Sequence, residues 1–265
     1  MGLFAELKAH GFSPKKSLGQ NFIANEGYLD SVVSSLGLAG TDTVIEVGTG
    51  AGTLTRVLAS YVGQVITYEV DRTLEPILAK QFKGYSNIQV RFEDALKAEI
   101  TVPGYKVVAN LPYYITTPLL LKFLRDDRCI ELTVLVQKEL AERIVAPPGG
   151  KDYGALSVTV SAHANAKIIK AAPRNLFWPV PGVDSAFVRI IKQRGKYTVD
   201  AKIFDDLVKG LFSLRRKTLL NGLCQLFKFD KQECERLITS LGINPASRPE
   251  QLTITQFIAL SNSLI

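Results

Sequence analysis

The stretch "VIEVGTGAGTLT" (residues 44–55) decides the fold. A Val- and Ile-rich run of strand length leads into Gly48, Gly50 and Gly52, and a helical pattern follows at once. Glycines at such a junction permit a tight turn and let a bound group approach the backbone closely. A plain strand-to-helix turn with close packing would use the same residues, so the trio alone leaves both readings open. Its spacing is G-x-G-x-G after Glu46, not the G-x-G-x-x-G that holds a dinucleotide pyrophosphate. That spacing favours a ligand with no phosphate to hold.

Outward from this turn, short apolar runs alternate with helical stretches. "GQVITYEVD" (63–71), "NIQVRFEDA" (87–95), "YKVVANLPYY" (105–114) and "IELTVLVQKEL" (130–140) read as strands or strand openings. The intervening "TLTRVLASYV", "RTLEPILAKQF" and "TTPLLLKFLRD" have helical spacing. Such alternation predicts an α/β fold: a mostly parallel sheet of seven strands with helices on both faces. "LSVTVSAHANAKIIKAAP" (156–173) and "SAFVRIIKQR" (185–194) are expected as further strands, an antiparallel pair closing the sheet. Beyond them the pattern is wholly helical, which predicts two domains, 1–192 and 193–265.

Two more acids follow the pattern of Glu46. "YEVD" (68–71) closes the next strand with Glu69, 21 residues after Gly48, where a carboxylate can accept both hydroxyls of a ribose. "FEDA" (92–95) ends the third strand with Asp94, placed to accept from an adenine amino group. Any one of them would pass as a solvated strand end. At successive carboxyl ends of parallel strands, the three outline one crevice for a nucleoside. S-adenosylmethionine fits, with its ribose, adenine and amino-acid tail without phosphates, and the fold is then a Rossmann-like methyltransferase domain.

"NLPYY" (110–114) ends the fourth strand on the same rim. The Asn110 side-chain carbonyl and a neighbouring backbone carbonyl can accept both hydrogens of an exocyclic amine, beside a turn fixed by Pro112. Tyr113 can then stack on a base, a contact of roughly 1–3 kcal/mol. Attack of that amine on a sulfonium methyl needs positioning and carbonyl stabilisation of developing positive charge, with no metal and no strong base. The scarce histidines agree, since His10 and His163 have no evident partner and read as structural.

These residues are similar to the Asn-(Leu/Ile)-Pro-(Tyr/Phe) methyltransferases acting on adenine amines. More specifically, the chain resembles the ribosomal RNA small-subunit adenine N6,N6-dimethyltransferase family, known from bacterial KsgA. "KKSLGQNFIAN" (15–25), "QKELAERIVAPPGGKDYGALSV" (137–158), "FWPVPGVDSAFVRI" (177–190), "LFSLRRKTLLNGL" (211–223) and "ASRPEQLT" (246–253) match its motifs in order. The resemblance implies two methyl transfers to each of two adjacent adenosines, in a hairpin loop near the 3′ end of 16S rRNA, with a role in 30S biogenesis. It implies that Asn21 and Ile23 touch the cofactor beside Gly48, Gly50, Glu69, Asp94 and Asn110. Asn110 and the Leu111 carbonyl would grip the amine, and Tyr113 and Phe177 would sandwich the flipped adenine. On the residues alone, Phe177 reads as core. Trp178 after it departs from the family pattern.

The balance of 32 basic and 25 acidic residues gives +7, and 11 basic against 7 acidic residues from Gln193 onward place +4 of it in the tail. Arg215, Arg216 and Lys217, with Lys15, Lys16 and Arg248, outline a phosphate-contacting surface, and the resemblance implies that the tail meets the ribosomal subunit. Relatives that methylate large-subunit rRNA usually carry Ile where Leu111 stands and lack the Arg-Arg-Lys-Thr-Leu run. An assembly factor using the same fold without catalysis remains a second reading. Three scattered cysteines argue against a disulfide framework or a zinc site. The charged N-terminal segment and the lack of a membrane-length apolar run predict a cytoplasmic protein. A monomer is expected.

Overall fold

The computed structural model of the chain describes residues 12–264 except 194, 196 and 198. His10 and the side chain of Lys16 lie outside the described residues. Seven strands form one sheet in the order β4-β3-β2-β5-β6-β9-β7, where β2 is Thr43–Val47, β3 Gln64–Tyr68, β4 Ile88–Arg91, β5 Tyr105–Asn110, β6 Cys129–Gln137, β7 Ala164–Ala172 and β9 Ser185–Lys192. Strands β2 to β6 pair in parallel, with Ile45 opposite both Ile66 and Val107, while β9 runs antiparallel to β6. Two remaining short strands, β1 (Phe22–Ile23) and β8 (Phe177–Trp178), pair with each other.

Side-chain alternation gives the sheet two apolar faces. Val44, Val65 and Val108 join a cluster with Leu29, Val33 and Leu58, contributed by α1 (Glu26–Val33) and α2 (Thr53–Ala59) with its flank. On the other face, Tyr105 meets Phe123 of the helix Thr116–Arg125 edge to face, centroids 6.3 Å apart. Buried on both sides, the strands read as near-continuous Val/Ile runs rather than alternating ones. Strand order reverses at β2, which has β3 on one side and β5 on the other, and this opens the crevice at the carboxyl ends.

Two expectations change. "LSVTVSAH" lies in a helix, Ala155–His163, and the strand begins only at Ala164. Its β-branched residues suit a strand, but Val158 and Ala162 are drawn into an apolar cluster with Phe204, Leu207 and Phe257, and packing outweighs propensity. The chain also divides differently: the second compact unit takes residues 142–166 along with 193–265. Tyr153 shows why, buried with its hydroxyl donating to the Leu252 carbonyl at 3.0 Å, as does the Gly149 amide donating to Glu250 O at 2.7 Å. The helical tail contains Ala201–Ser213, Leu219–Phe227, Lys231–Ser240 and Ile254–Asn262, with side-chain N-caps from Asp200, Thr218, Asp230 and Thr253.

Candidate active site

The ends of β2, β3 and β5, the segment after β4 and residues 18–23 enclose a cavity of about 310 Å³. That is in the size range of small-molecule sites, roughly 300–1,000 Å³. Asn21, Ile23, Gly48, Gly50, Glu69, Asp94 and Asn110 all line it, together with Leu111, Pro112 and Tyr113.

The glycines make the approach possible. Gly48 has φ 81°, and a Cβ there would sit 3.5 Å from the Asn110 carbonyl oxygen and 3.8 Å from the Pro112 ring. Gly50 has φ 55°, and a Cβ would come within 2.8 Å of the Phe22 ring. The N-terminal segment therefore closes on the turn only because Gly50 has no side chain, while at Gly48 it is the left-handed backbone rather than space that calls for glycine.

Glu69 is held by three backbone donors. Its Oε2 accepts from Gly50 N at 2.9 Å, and its Oε1 from Val70 N and Asp71 N, each at 2.9 Å. Burial raises its pKa, and these amides oppose the rise. A carboxylate has about four acceptor positions, so roughly one is left for a ligand hydroxyl, fewer than the two expected for a ribose diol. Glu46 is buried as well, accepting from Thr55 Oγ1 at 2.6 Å, and burial pushes its pKa up to about 8. Asp94 is half-buried and accepts from Leu96 N at 2.9 Å.

Asn110 donates its Nδ2 to the Asn21 carbonyl at 2.8 Å, which fixes the amide so that Oδ1 is turned to accept. Pro112 turns the chain, its carbonyl accepting from Ile115 N at 3.1 Å and Thr116 Oγ1 at 3.0 Å. The Tyr113 hydroxyl and Ser185 Oγ are hydrogen-bonded at 2.8 Å, and burial raises the phenol pKa. Tyr114 next to it is exposed.

Phe177 is not among the residues lining this cavity; it is buried in the apolar cluster with Ile23, its partner in the β1–β8 ladder, so a base stacked on it as the resemblance implies would lie outside this cavity. Trp178 stacks on Phe22, centroids 6.2 Å apart. Lys15, expected on an RNA surface, is exposed and pairs with Asp71 at 2.6 Å. The triplet Arg215, Arg216 and Lys217 occupies the turn between two tail helices rather than a helix. Arg215 reaches Glu250 at 3.6 Å, while Arg216, Lys217 and Arg248 are exposed. His163 is structural, its Nδ1 2.8 Å from the Thr159 carbonyl.

Two groups were not foreseen. Lys122 donates to the carbonyls of Ala95 at 2.6 Å and Leu96 at 3.2 Å, and to that of Ala98, pinning the loop after Asp94. A lysine inside the apolar run "LLLKFL" was the available signal. Leu29, Val70 and Leu96 also wall the cavity, and nothing in their residue type distinguishes them from core.

A buried carboxylate, a glycine-walled turn and an anchored amide at the switch point suit S-adenosylmethionine, and together with this sheet they define a Rossmann-like methyltransferase. A family model described as ribosomal RNA adenine dimethylase matches residues 11–265. The chain is 39% identical over 274 residues to the ribosomal RNA small subunit methyltransferase A of Geobacillus thermodenitrificans, covering 98% of this chain and 94% of that protein. It is 41% identical over 273 residues to the protein of the same name from Enterococcus faecalis, covering 97% and 92%. A crystal structure of a dimethyladenosine transferase from Plasmodium falciparum superposes with a TM-score of 0.81 at 27% identity, covering 92% of this chain and 97% of the other. The 23S rRNA methyltransferase ErmE gives 0.74 at 25% identity, covering 92% and 99%. The chain belongs to the ribosomal RNA adenine dimethylase family, whose members are S-adenosylmethionine-dependent methyltransferases.

Proposed function

We propose that this protein methylates N6 of two adjacent adenosines twice each, in a hairpin loop near the 3′ end of small-subunit rRNA within an immature 30S particle. It acts in the cytoplasm as a monomer. The observation that carries the reading is the Asn110 amide, fixed through Nδ2 to the Asn21 carbonyl at 2.8 Å on the rim of the cavity. When bound, S-adenosylmethionine supplies an electrophilic methyl group on a sulfonium. Asn110 Oδ1 and the Leu111 carbonyl accept the two hydrogens of the adenine amine and aim its lone pair. As the nitrogen bonds to the methyl carbon, the bond from that carbon to sulfur would break and leave a neutral thioether, so the positive charge passes to nitrogen, where both carbonyl dipoles stabilise it. The proton then leaves to solvent, and once the spent thioether is exchanged for fresh cofactor, the methylamine turns and gives its one remaining hydrogen to one of the two acceptors for the second transfer.

Tyr113, its hydroxyl tied to Ser185, offers one ring face to an extruded base, and a hairpin loop lowers the cost of extrusion. Glu69 and Asp94 hold the nucleoside part of the cofactor. Exposed Arg216, Lys217 and Arg248 contact rRNA phosphates. Leu111 and the Arg-Arg-Lys-Thr-Leu run favour the small-subunit substrate over a large-subunit one. Intact glycines and acids favour catalysis over a purely structural role in assembly. The test is Asn110→Ala under single turnover with undermethylated small subunits. The reading expects transfer to fall by about 100- to 1,000-fold, as for other deleted transition-state contacts, while calorimetry shows cofactor affinity nearly retained. Wild-type turnover in this variant would refute the grip.

A further inference from the structure

Asp71 touches neither substrate nor cofactor in this mechanism, yet two networks cross at it. Its amide donates to Glu69 Oε1 at 2.9 Å. Its carboxylate is buried, the side chain only 1% exposed, and faces the N-terminal segment. Oδ1 accepts from Lys15 Nζ at 2.6 Å, and Oδ2 from Gln20 Nε2 at 2.9 Å. Gln20 in turn accepts from the Lys15 amide at 2.7 Å, closing a ring of contacts around residues 15–20. The next residue, Asn21, presents the carbonyl that anchors Asn110, and Phe22 then packs on the Gly50 turn.

We propose that Asp71 is a positioning residue for methyl transfer. Through Gln20 and Lys15 it holds the strap of residues 15–23 as a wall of the cofactor cavity, and through the Asn21 carbonyl it sets the orientation of the Asn110 amide. The proposal rests on the assignment of Asn110 to the amine grip. A purely local role is also built into Asp71, whose Oδ1 accepts from Thr73 N at 3.1 Å and Thr73 Oγ1 at 2.6 Å and so caps the turn Arg72–Leu74. Gln20 takes no part in that cap, so a change at Gln20 separates the two roles.

The experiment compares full-length Gln20→Ala, Asp71→Asn and the double variant, using undermethylated small subunits and saturating S-adenosylmethionine. Single-turnover rate, cofactor affinity and thermal midpoint are read for each. Gln20→Ala should slow transfer by about tenfold to a hundredfold, the scale of a small misplacement of a reacting group, with its thermal midpoint near that of the wild type. The double variant should be no slower than Asp71→Asn, because both changes break one linkage. Multiplying effects, or a Gln20→Ala enzyme with unchanged rate and affinity, would overturn the proposal and leave Asp71 a cap. If Asp71→Asn fails to fold, Gln20→Ala and Lys15→Met take its place in the same cycle. Non-multiplying losses then support the strap, and multiplying or absent losses overturn it. Asn110→Ala run alongside keeps the two assignments distinct. Normal turnover there, with Gln20→Ala still slow, defeats the grip and with it the link to Asn110, and leaves only the strap's role as a wall of the cofactor cavity.

Discussion

Glu46 and Glu69 line one cavity and are both buried, but their partners differ. Glu69 receives three backbone amides, which favour its charged form. Glu46 has hydroxyl partners, and burial raises its pKa from 4.5 to about 8, helped by the neighbouring Glu69. Its folded-state pKa is thus above its unfolded value. The stability it contributes is fully present below about pH 4.5 and is lost as pH rises through about 8. Asp71 has the opposite sign. Burial alone would raise its pKa, but donation from Lys15, Thr73 and Gln20 outweighs that and lowers it from 3.8 to about 2. Its contribution is present above about pH 4 and is lost as pH falls through about 2. In urea melts of the protein alone, Glu46→Gln should gain on the wild type between about pH 5 and 8, by up to about 1.4 kcal/mol per pH unit. Parallel curves for the two proteins would show that Glu46 is ionised in the fold.

At the scale of elements, the turn after β2 works by absence of side chains. Gly50→Ala forces a left-handed backbone on an L-residue, at about 1–2 kcal/mol, and drives a Cβ toward the Phe22 ring. The strap must then shift, so cofactor affinity should drop at least as far as stability does, read by calorimetry beside thermal melts. A variant that binds normally would mean the strap is not seated by this turn. This element was legible in the sequence because backbone geometry selects glycine at fixed spacing. The helix Ala155–His163 was not, since "SVTVS" alternates as a strand does and only packing against Phe204 and Phe257 makes it helical. Gln20, Asp71 and Lys122 were likewise hidden as members of a network, because their partners lie 24 to 56 residues away along the chain.

At the scale of the whole molecule, the parallel sheet was readable from the βα alternation and the crevice from acids at successive strand ends, whereas the strand order that opens it was not. The composition of the second unit was not, because residues 142–166 join the tail through burial of Tyr153 and Val158, which no local pattern announces. That unit exposes Arg216 and Lys217 beside Lys231 in a shallow recess. Arg216→Ala and Lys217→Ala should each weaken binding to small-subunit RNA and lower the salt slope by roughly one, with cofactor affinity unchanged. An unaltered slope would remove both residues from the RNA surface. The reaction product bears most directly on the proposed activity. Undermethylated small subunits are incubated with the protein and methyl-labelled S-adenosylmethionine, with large subunits in parallel, and modified nucleosides are mapped by mass spectrometry. An amine grip serving two transfers per base should yield N6,N6-dimethyladenosine at two adjacent positions near the 3′ end of the small-subunit RNA. Label in large-subunit RNA alone, or bound cofactor with no methyl transferred to either RNA, would contradict that activity.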